Sequence, residues 1–173
     1  MKLLLDGKGA DDAVIVAVAG HGLQMRKDAR AHFCPIDADV EKPETWVDLE
    51  DLFAQLKECG AGGKLLIADC CRNDPKLEGF RDTQKVESVT RPELLKPPQS
   101  VAALYSCRNG ERAFEEEDAA EDIHGGVFTH FLIKGLRGGA AKNGEVVSEL
   151  AKYLRKNVYD YVTSKHGVAQ MPA

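Results

Sequence analysis

Long apolar runs are absent from this sequence. The seven residues 13–19 form its longest strand-like run, far short of the roughly twenty residues that a membrane-spanning helix needs. The apolar segment at the start, residues 3–5, is also too short for a secretion signal. We therefore expect a cytoplasmic protein that has no membrane partner.

An excess of basic residues is also missing. Lysine and arginine number 23 against 28 acidic residues, and the net charge is −5. No basic stripe is present, so nucleic acid is not an expected partner. The five cysteines are an odd number and lack the spacing of a disulfide framework, which predicts free thiols. None has metal-ligand spacing with a histidine, so we expect no zinc site.

Apolar patterning predicts an α/β fold. Short apolar runs typical of strands occupy residues 13–19, 64–69 and 100–106. Apolar residues recur at helical spacing in residues 46–59, 126–137 and 147–165. This alternation indicates a mostly parallel sheet with helices on both faces, and the valine-rich first run predicts a strand buried on both of its faces. We interpret the polar stretches 72–99 and 115–122 as loops.

Each predicted strand ends at polar or reactive side chains. The first is followed by His21, the second by Asp69, Cys70 and Cys71, and the third by Ser106 and Arg108. The carboxyl ends of parallel strands lie at one edge of a sheet, where open α/β proteins bind their ligands. We therefore expect these side chains to form one site.

A cysteine nucleophile at this edge would need a nearby base, because a free thiol has a pKa of about 8.5. His21 is the best-placed base, since the glycines on either side of it let the backbone turn sharply and let a substrate approach. The backbone N–H of Gly22, together with that of the nucleophile, could form an oxyanion hole for acyl transfer. The alternative is that the cysteines are small buried hydrophobic residues.

Two blocks of sequence carry a resemblance. G-H-G at residues 20–22 and D-C-C-R-N at residues 69–73 resemble the catalytic blocks of the caspase-like cysteine peptidases (peptidase C14). The D-x-C pattern is closer to the bacterial metacaspase-like branch than to the Q-A-C-R-G of animal caspases. Cys71 follows His21 by about the 50 residues that separate this pair in caspases. Further matching blocks lie at residues 34–39, 47–52, 105–115 and 126–132.

The resemblance implies a cysteine endopeptidase acting on polypeptides. It makes Cys71 the nucleophile and His21 the base that later protonates the leaving amine. Gly22 and Cys71 would supply the oxyanion N–H groups. Cys70 lies at a position that the family fills with small residues, which favours packing as its role.

The resemblance also implies how a substrate is selected. Asp69 matches the family's specificity-pocket acid, which would select Arg or Lys before the scissile bond by charge-assisted pairing. The competing interpretation is that Asp69 only caps the end of its strand. Ser106 and Arg108 would also contact substrate, and Arg108 with Arg72 could instead attract an acidic side chain.

The implied fold is the caspase-like three-layer α/β fold, in a single domain over residues 1–173 that lacks the usual strand or strands at its N-terminal end. Some members bind calcium through acidic residues. Asp37 fits one such position, but the adjacent Asp pair expected at the second is broken, because the residues there are Asp48, Leu49, Glu50 and Asp51. Losing a ligand weakens a calcium site, so we predict no metal and no cofactor, and calcium stays open as the alternative.

Two other functions stay open at this point. A caspase-like chain with an incomplete sheet could serve as an inactive scaffold or regulatory module. A thiol redox role for Cys70 and Cys71 is disfavoured, because the chain lacks the C-x-x-C spacing of redox motifs. The sequence makes no prediction of oligomeric state.

Overall fold

The computed structural model describes residues 2–25, 30–39, 42–70, 86–87, 97–108, 111–141 and 147–173. The strands are β1 (Ala13–Met25), β2 (Ala31–Cys34), β3 (Val47–Asp48), β4 (Gly63–Cys70), β5 (Val86–Glu87), β6 (Ala102–Tyr105), β7 (Glu115–Asp118) and β8 (Ile123–Gly126). The α-helices are α1 (Lys2–Leu5), α2 (Leu49–Glu58), α3 (Val127–Lys134) and α4 (Val147–His166). A 3₁₀ turn covers Pro43–Thr45, and a π-type turn, Gly135–Gly139, follows α3.

The main sheet has the order β3-β2-β1-β4-β6, with β5 paired beside the end of β1. Its central strands β1, β4 and β6 run parallel, whereas the short strands β2, β3 and β5 join antiparallel. The β1–β4 register runs from Ala13 opposite Gly63 to Gly20 opposite Cys70. The predicted α/β class is thus confirmed.

Helices cover both faces of the sheet and form two separate cores. On one face, α2 packs Leu52 and Leu56 against Leu66 of β4, and all three side chains are at most 1% exposed. On the other face, α3 and α4 pack Phe128 and Leu154 beneath β4 and β6. This arrangement gives the three predicted layers. None of the helices in the described ranges is long and apolar enough to span a membrane.

The prediction that residues 13–19 are buried on both faces is wrong. Val14, Val16 and Val18 pack against the first core, but the alternate residues face outward and Ile15 is 66% exposed. On that side, helices α3 and α4 reach β4 and β6, and none of the described helices extends over β1. Residues 13–20 pair with β4 along one backbone edge, and no other described strand pairs with them.

The acidic stretch predicted as a loop is a β-hairpin, made by β7 and β8. Its charged side chains have partners on α4. The carboxylate of Asp118 accepts a hydrogen bond from the Tyr161 hydroxyl at 2.7 Å and pairs with Lys165 Nζ at 2.8 Å. His166 lies 2.6 Å from the carboxylate of Glu116. Because Lys165 neutralises Asp118, and Tyr161 and His166 hydrogen-bond to the two carboxylates, the stretch can adopt a strand that its sequence alone disfavours.

The exposed strand face predicts a concentration-dependent property. An edge strand without charge or proline favours association with other chains, and a lysine there opposes it. We expect Ile15→Lys to lower self-association at high protein concentration. The free energy of unfolding should change by no more than about 0.5 kcal/mol, because the side chain is mostly exposed. Sedimentation velocity over a concentration series measures the first effect.

Ile36→Lys is the matched control, because Ile36 is fully exposed in a turn rather than on a strand. An equal effect of both substitutions, or no effect of Ile15→Lys, would contradict the role given to the β1 face.

A second prediction concerns the hairpin. The bonds from Lys165 and Tyr161 lower the pKa of Asp118 from 3.8 to about 2. Its ionised form therefore stabilises the fold above its ordinary pKa, and this contribution is lost as the pH falls from about 4 to about 2. Asp118→Asn should lower the free energy of unfolding at neutral pH, and the difference from wild type should vanish near pH 2.

Urea denaturation at a series of pH values measures this difference. Asp160→Asn is the control, because the Asp160–Lys156 pair is exposed and should contribute little at any pH. A deficit in Asp118→Asn that persists unchanged at acid pH would show that its carboxylate charge is not the cause.

Candidate active site at the carboxyl edge of the sheet

The end of the β1–β4 ladder positions His21. The last registered pair is Gly20 with Cys70, and His21 is the next residue of β1. Its side chain is exposed, whereas Gly22 is buried and pairs with Phe33 of β2. Gly20 has a φ of 140°, which favours glycine, and a Cβ there would lie 3.3 Å from the Phe33 ring. The backbone at the candidate base therefore depends on this glycine.

Cys70 closes β4 and is only 6% exposed, as part of the first core. Its carbonyl oxygen lies 3.4 Å from Ser106 Oγ and 3.8 Å from Cys107 Sγ. This location agrees with a packing role for Cys70. Cys71 and Arg72 lie outside the described residues, so their predicted roles stay predictions.

Asp69 is 8% exposed and holds the start of α3. Its Oδ2 accepts hydrogen bonds from Thr129 Oγ1 at 2.5 Å and from the Thr129 backbone N–H at 3.3 Å. Gly126, the N-cap residue of α3, has no side chain to accept that N–H, and Asp69 takes over this function across the sheet edge. A Cβ at Gly126 would collide with the Asp69 carboxylate. The glycine is therefore required by the close approach.

Burial raises the pKa of the Asp69 carboxyl, and the charge of Glu115 adds to this. Hydrogen bonds from Thr129 and Ser106 act in the opposite direction, because they favour the ionised form. A partly desolvated carboxylate interacts more strongly with an incoming cation than an exposed one does.

His21 and Asp69 line the same cleft, which has a volume of about 230 Å³ and is called the His21 cleft below. The other residues lining it are Gly20, Cys70, Arg112, Ala113, Phe114 and Glu115. Arg112 and Glu115 give the entrance one charge of each sign, and the Arg112 guanidinium lies 5.9 Å from the centre of the Phe114 ring. The expected convergence of the first two strand ends is therefore present in this structure.

The third strand end contributes differently from the prediction. Ser106 is 1% exposed, and its hydroxyl lies near the Cys70 carbonyl inside the protein rather than at the surface of the cleft. Arg108 is exposed, and its backbone N–H bonds the Glu111 carboxylate at 3.1 Å. Neither is among the residues that line the His21 cleft. The wall comes from residues 112–115, which follow them in the chain.

Sequence reasoning missed several residues of this region. Residues 112–115 fall within the matching block 105–115, which was the available signal, but nothing in their pattern indicates that they form a wall. Thr129 lies 60 residues from the carboxylate that it bonds. A contact across that distance has no local signature.

The acidic residues near the start of α2 surround a basic side chain. The Arg30 guanidinium contacts Asp48 at 2.8 Å, Asp51 at 2.9 Å and Glu50 at 3.4 Å. Asp48 also caps α2 by accepting the Glu50 N–H at 2.7 Å. These carboxylates are thus occupied by a cation that belongs to the chain. Within the described ranges, no group of three or more His, Cys, Asp or Glu residues is arranged to hold a metal.

Comparison with known proteins adds three findings. The sequence model of the caspase domain, Peptidase C14, matches residues 2–173. A search of curated proteins finds no match. The crystal structure of protein GSU0716 from Geobacter sulfurreducens is similar with a TM-score of 0.57 and 17% identity, over 99% of this chain and 68% of that one. At this identity the likeness shows the fold alone.

The Asp69–Thr129 bond predicts a stability effect. Thr129→Val removes the hydroxyl donor from a buried carboxylate and should cost about 1–3 kcal/mol of unfolding free energy at neutral pH. Without the donor the pKa of Asp69 rises further, so ionisation disfavours the folded variant more. The deficit should therefore grow as the pH rises from about 4 towards neutrality.

Denaturant unfolding of wild type and variant across this pH range measures the deficit. Thr163→Val is the control, because the Thr163 hydroxyl makes a long 3.4 Å bond to Val168 O at the protein surface. If both variants lose the same amount at every pH, the Asp69 carboxylate is not involved.

Proposed function

Because the chain belongs to the caspase-domain family of cysteine peptidases, we propose that it is an endopeptidase with Cys71 as nucleophile and His21 as base. The observation that carries this proposal is the β1–β4 register. It ends at Gly20 opposite Cys70, and the residue that follows each of them in the sequence is a member of the proposed dyad. His21 is exposed to a cleft, as a base that meets substrate must be.

The proposed reaction proceeds in two stages. The His21 imidazole takes the proton of the Cys71 thiol, and the thiolate attacks the scissile carbonyl carbon. The backbone N–H groups of Gly22 and Cys71 stabilise the oxyanion. The C–N bond then breaks, the amine leaves with the proton from His21, and a thioester remains. Water, losing a proton to His21, hydrolyses the thioester and releases the carboxylic acid and Cys71.

We further propose cleavage after Arg or Lys. Asp69 supports this specificity, because its carboxylate lines the His21 cleft and is partly desolvated there. A guanidinium or ammonium group of the substrate would supply a positive charge next to the desolvated Asp69 carboxylate. Arg108, the basis for the opposite preference, lies outside the lining of the cleft. Arg112 at the cleft is nonetheless a reason to test acidic peptides as well.

The D-C-C block supports a place in the metacaspase-like branch. Calcium is not part of the proposed reaction, because Arg30 occupies the carboxylates at the start of α2. We also propose a cytoplasmic location, on the absence of disulfide spacing among the cysteines.

A second function has an observation in its favour. Residues 13–20 of the strand that carries His21 pair along one edge only in the described part of the chain, and Ile15 is exposed on one face. A sheet that is incomplete along the residues leading to the proposed base is consistent with an inactive scaffold or regulatory module. Turnover by the purified chain distinguishes the two functions.

The experiment uses fluorogenic peptides that end in Arg, Lys or Asp, with calcium and with a chelator. We expect turnover of the Arg and Lys peptides under both conditions. Cys71→Ala and His21→Ala should each lower kcat/KM by at least about 1,000-fold. Cys70→Ala is the matched control, because it alters the neighbouring thiol and should retain most of the activity.

Circular dichroism shows that each variant is folded. Turnover that survives Cys71→Ala would overturn the nucleophile assignment, and preference for Asp peptides would reverse the role given to Asp69. A folded wild-type chain that cleaves no peptide would favour the scaffold function.

A further inference from the structure

The last residues of the chain are docked against the edge of β6. Ala173 and Tyr105 exchange two backbone hydrogen bonds, of 2.8 and 3.1 Å. Arg155 of α4 donates from Nε to the Pro172 carbonyl at 3.3 Å. Residues 169–173, called the tail below, thus extend the sheet and are also tied to α4.

The Gln170 side chain of the tail is fully buried, with no exposed area. Its Nε2 donates to the Ser106 carbonyl at 2.9 Å, and its Oε1 accepts from the Phe114 N–H at 3.0 Å. Both ends of the amide are therefore bonded to backbone, as a buried polar side chain requires. The two partners are the ends of one stretch of chain, which Gln170 holds at a set separation.

Glu111 makes a second connection between the tail and that stretch. Its Oε2 accepts from the backbone N–H of Arg108 at 3.1 Å and from that of Met171 at 2.6 Å. Cys107, which has no exposed area, donates from Sγ to the Glu111 carbonyl at 3.4 Å. Residues 106–108 and 111–115, called the cleft segment, are thus fastened to the tail at three backbone groups.

The cleft segment is part of the proposed substrate site. Residues 112–115 line the His21 cleft together with His21 and Asp69. At its other end, the Ser106 hydroxyl lies 3.4 Å from the Cys70 carbonyl and contributes a hydrogen bond to Asp69. A shift of this segment would therefore displace both the wall and a supporting donor of the proposed specificity carboxylate.

We propose that the tail, through Gln170, is a positioning element of the substrate cleft. Gln170 does not line the cleft, so it is a positioning residue rather than a catalytic one. The role rests on the proposed peptidase function and deepens it. The tail sets the width of the cleft in which the residue before the scissile bond is held, while Cys71 and His21 of the proposed dyad carry out the chemistry.

This division of roles predicts a specific kinetic pattern. Gln170→Met keeps the approximate volume of the side chain but removes both hydrogen bonds. The cleft segment then loses its two hydrogen bonds to the Gln170 side chain, and substrate binding weakens. We expect KM for the Arg peptide to rise roughly ten-fold while kcat stays within about two-fold of wild type. Peptide mapping measures the rate at which iodoacetamide alkylates Cys71. This rate should also stay within about two-fold of the wild-type rate.

Hydrogen exchange tests the same proposal without turnover. In Gln170→Met the Phe114 amide loses its acceptor, so peptides covering 106–115 should exchange faster while peptides of α4 keep the wild-type rate. Gln99→Met is the matched control, because Gln99 is exposed in a turn and should leave every readout unchanged.

Three outcomes would overturn the proposal: unchanged exchange and KM in Gln170→Met, faster exchange in α4 equal to that in the cleft segment, or a fall in kcat and alkylation rate as large as the rise in KM. If the wild-type chain cleaves no peptide, the peptidase proposal fails by itself. Hydrogen exchange then decides whether the tail positions the cleft: acceleration confined to residues 106–115 supports it, and its absence overturns it.

Discussion

The buried hydrogen bond between Thr129 and the Asp69 carboxylate joins the central strand of the sheet to helix α3. Asp69 is the last residue but one of β4, and Thr129 lies in the first turn of α3. The carboxylate accepts a backbone N–H of the helix, for which Gly126 has no side-chain acceptor. The two donors of Thr129 in turn offset the free-energy cost of desolvating the carboxylate. The hairpin that leads into α3 is thereby placed beside the strand that carries the proposed specificity residue. Stability and the proposed substrate selection thus depend on the same carboxylate.

The His21 cleft is assembled from three pieces of chain that are far apart in sequence. Parallel pairing brings the ends of β1 and β4 together, because their register is set over eight residue pairs before the site begins. The third piece, the cleft segment, is held by Gln170 of the tail, by Glu111 and by a backbone hydrogen bond from Val127 to Phe114, and Glu115 begins the β7–β8 ladder. The paired strand ends lead to the residues of the proposed chemistry, and the cleft segment carries the wall proposed to meet substrate.

Much of the fold could be predicted from local pattern. The apolar spacing of α2 and α4 and the run that forms β4 each depend on residues within one element, and all three elements were predicted within a few residues of their bounds. Two predictions failed because they depended on distant partners. Helices α3 and α4 reach β4 and β6, and none of the described helices covers that face of the strand at 13–19. The acidic stretch forms a hairpin because Lys165 supplies an opposite charge to Asp118 and Tyr161 donates a hydrogen bond to it.

The sequence by itself determined the family, the alternation of strands and helices, and the order in which His21 and the cysteine block follow their strands. These are properties of short windows, in which apolar period and strand ends are directly visible. Only the tertiary structure decided that Asp69 faces both a cleft and a helix start, that residues 112–115 form the wall, and that Gln170 anchors it. Each of these contacts joins residues about 40 or more positions apart. Such pairs are set by how layers pack, which no local pattern records.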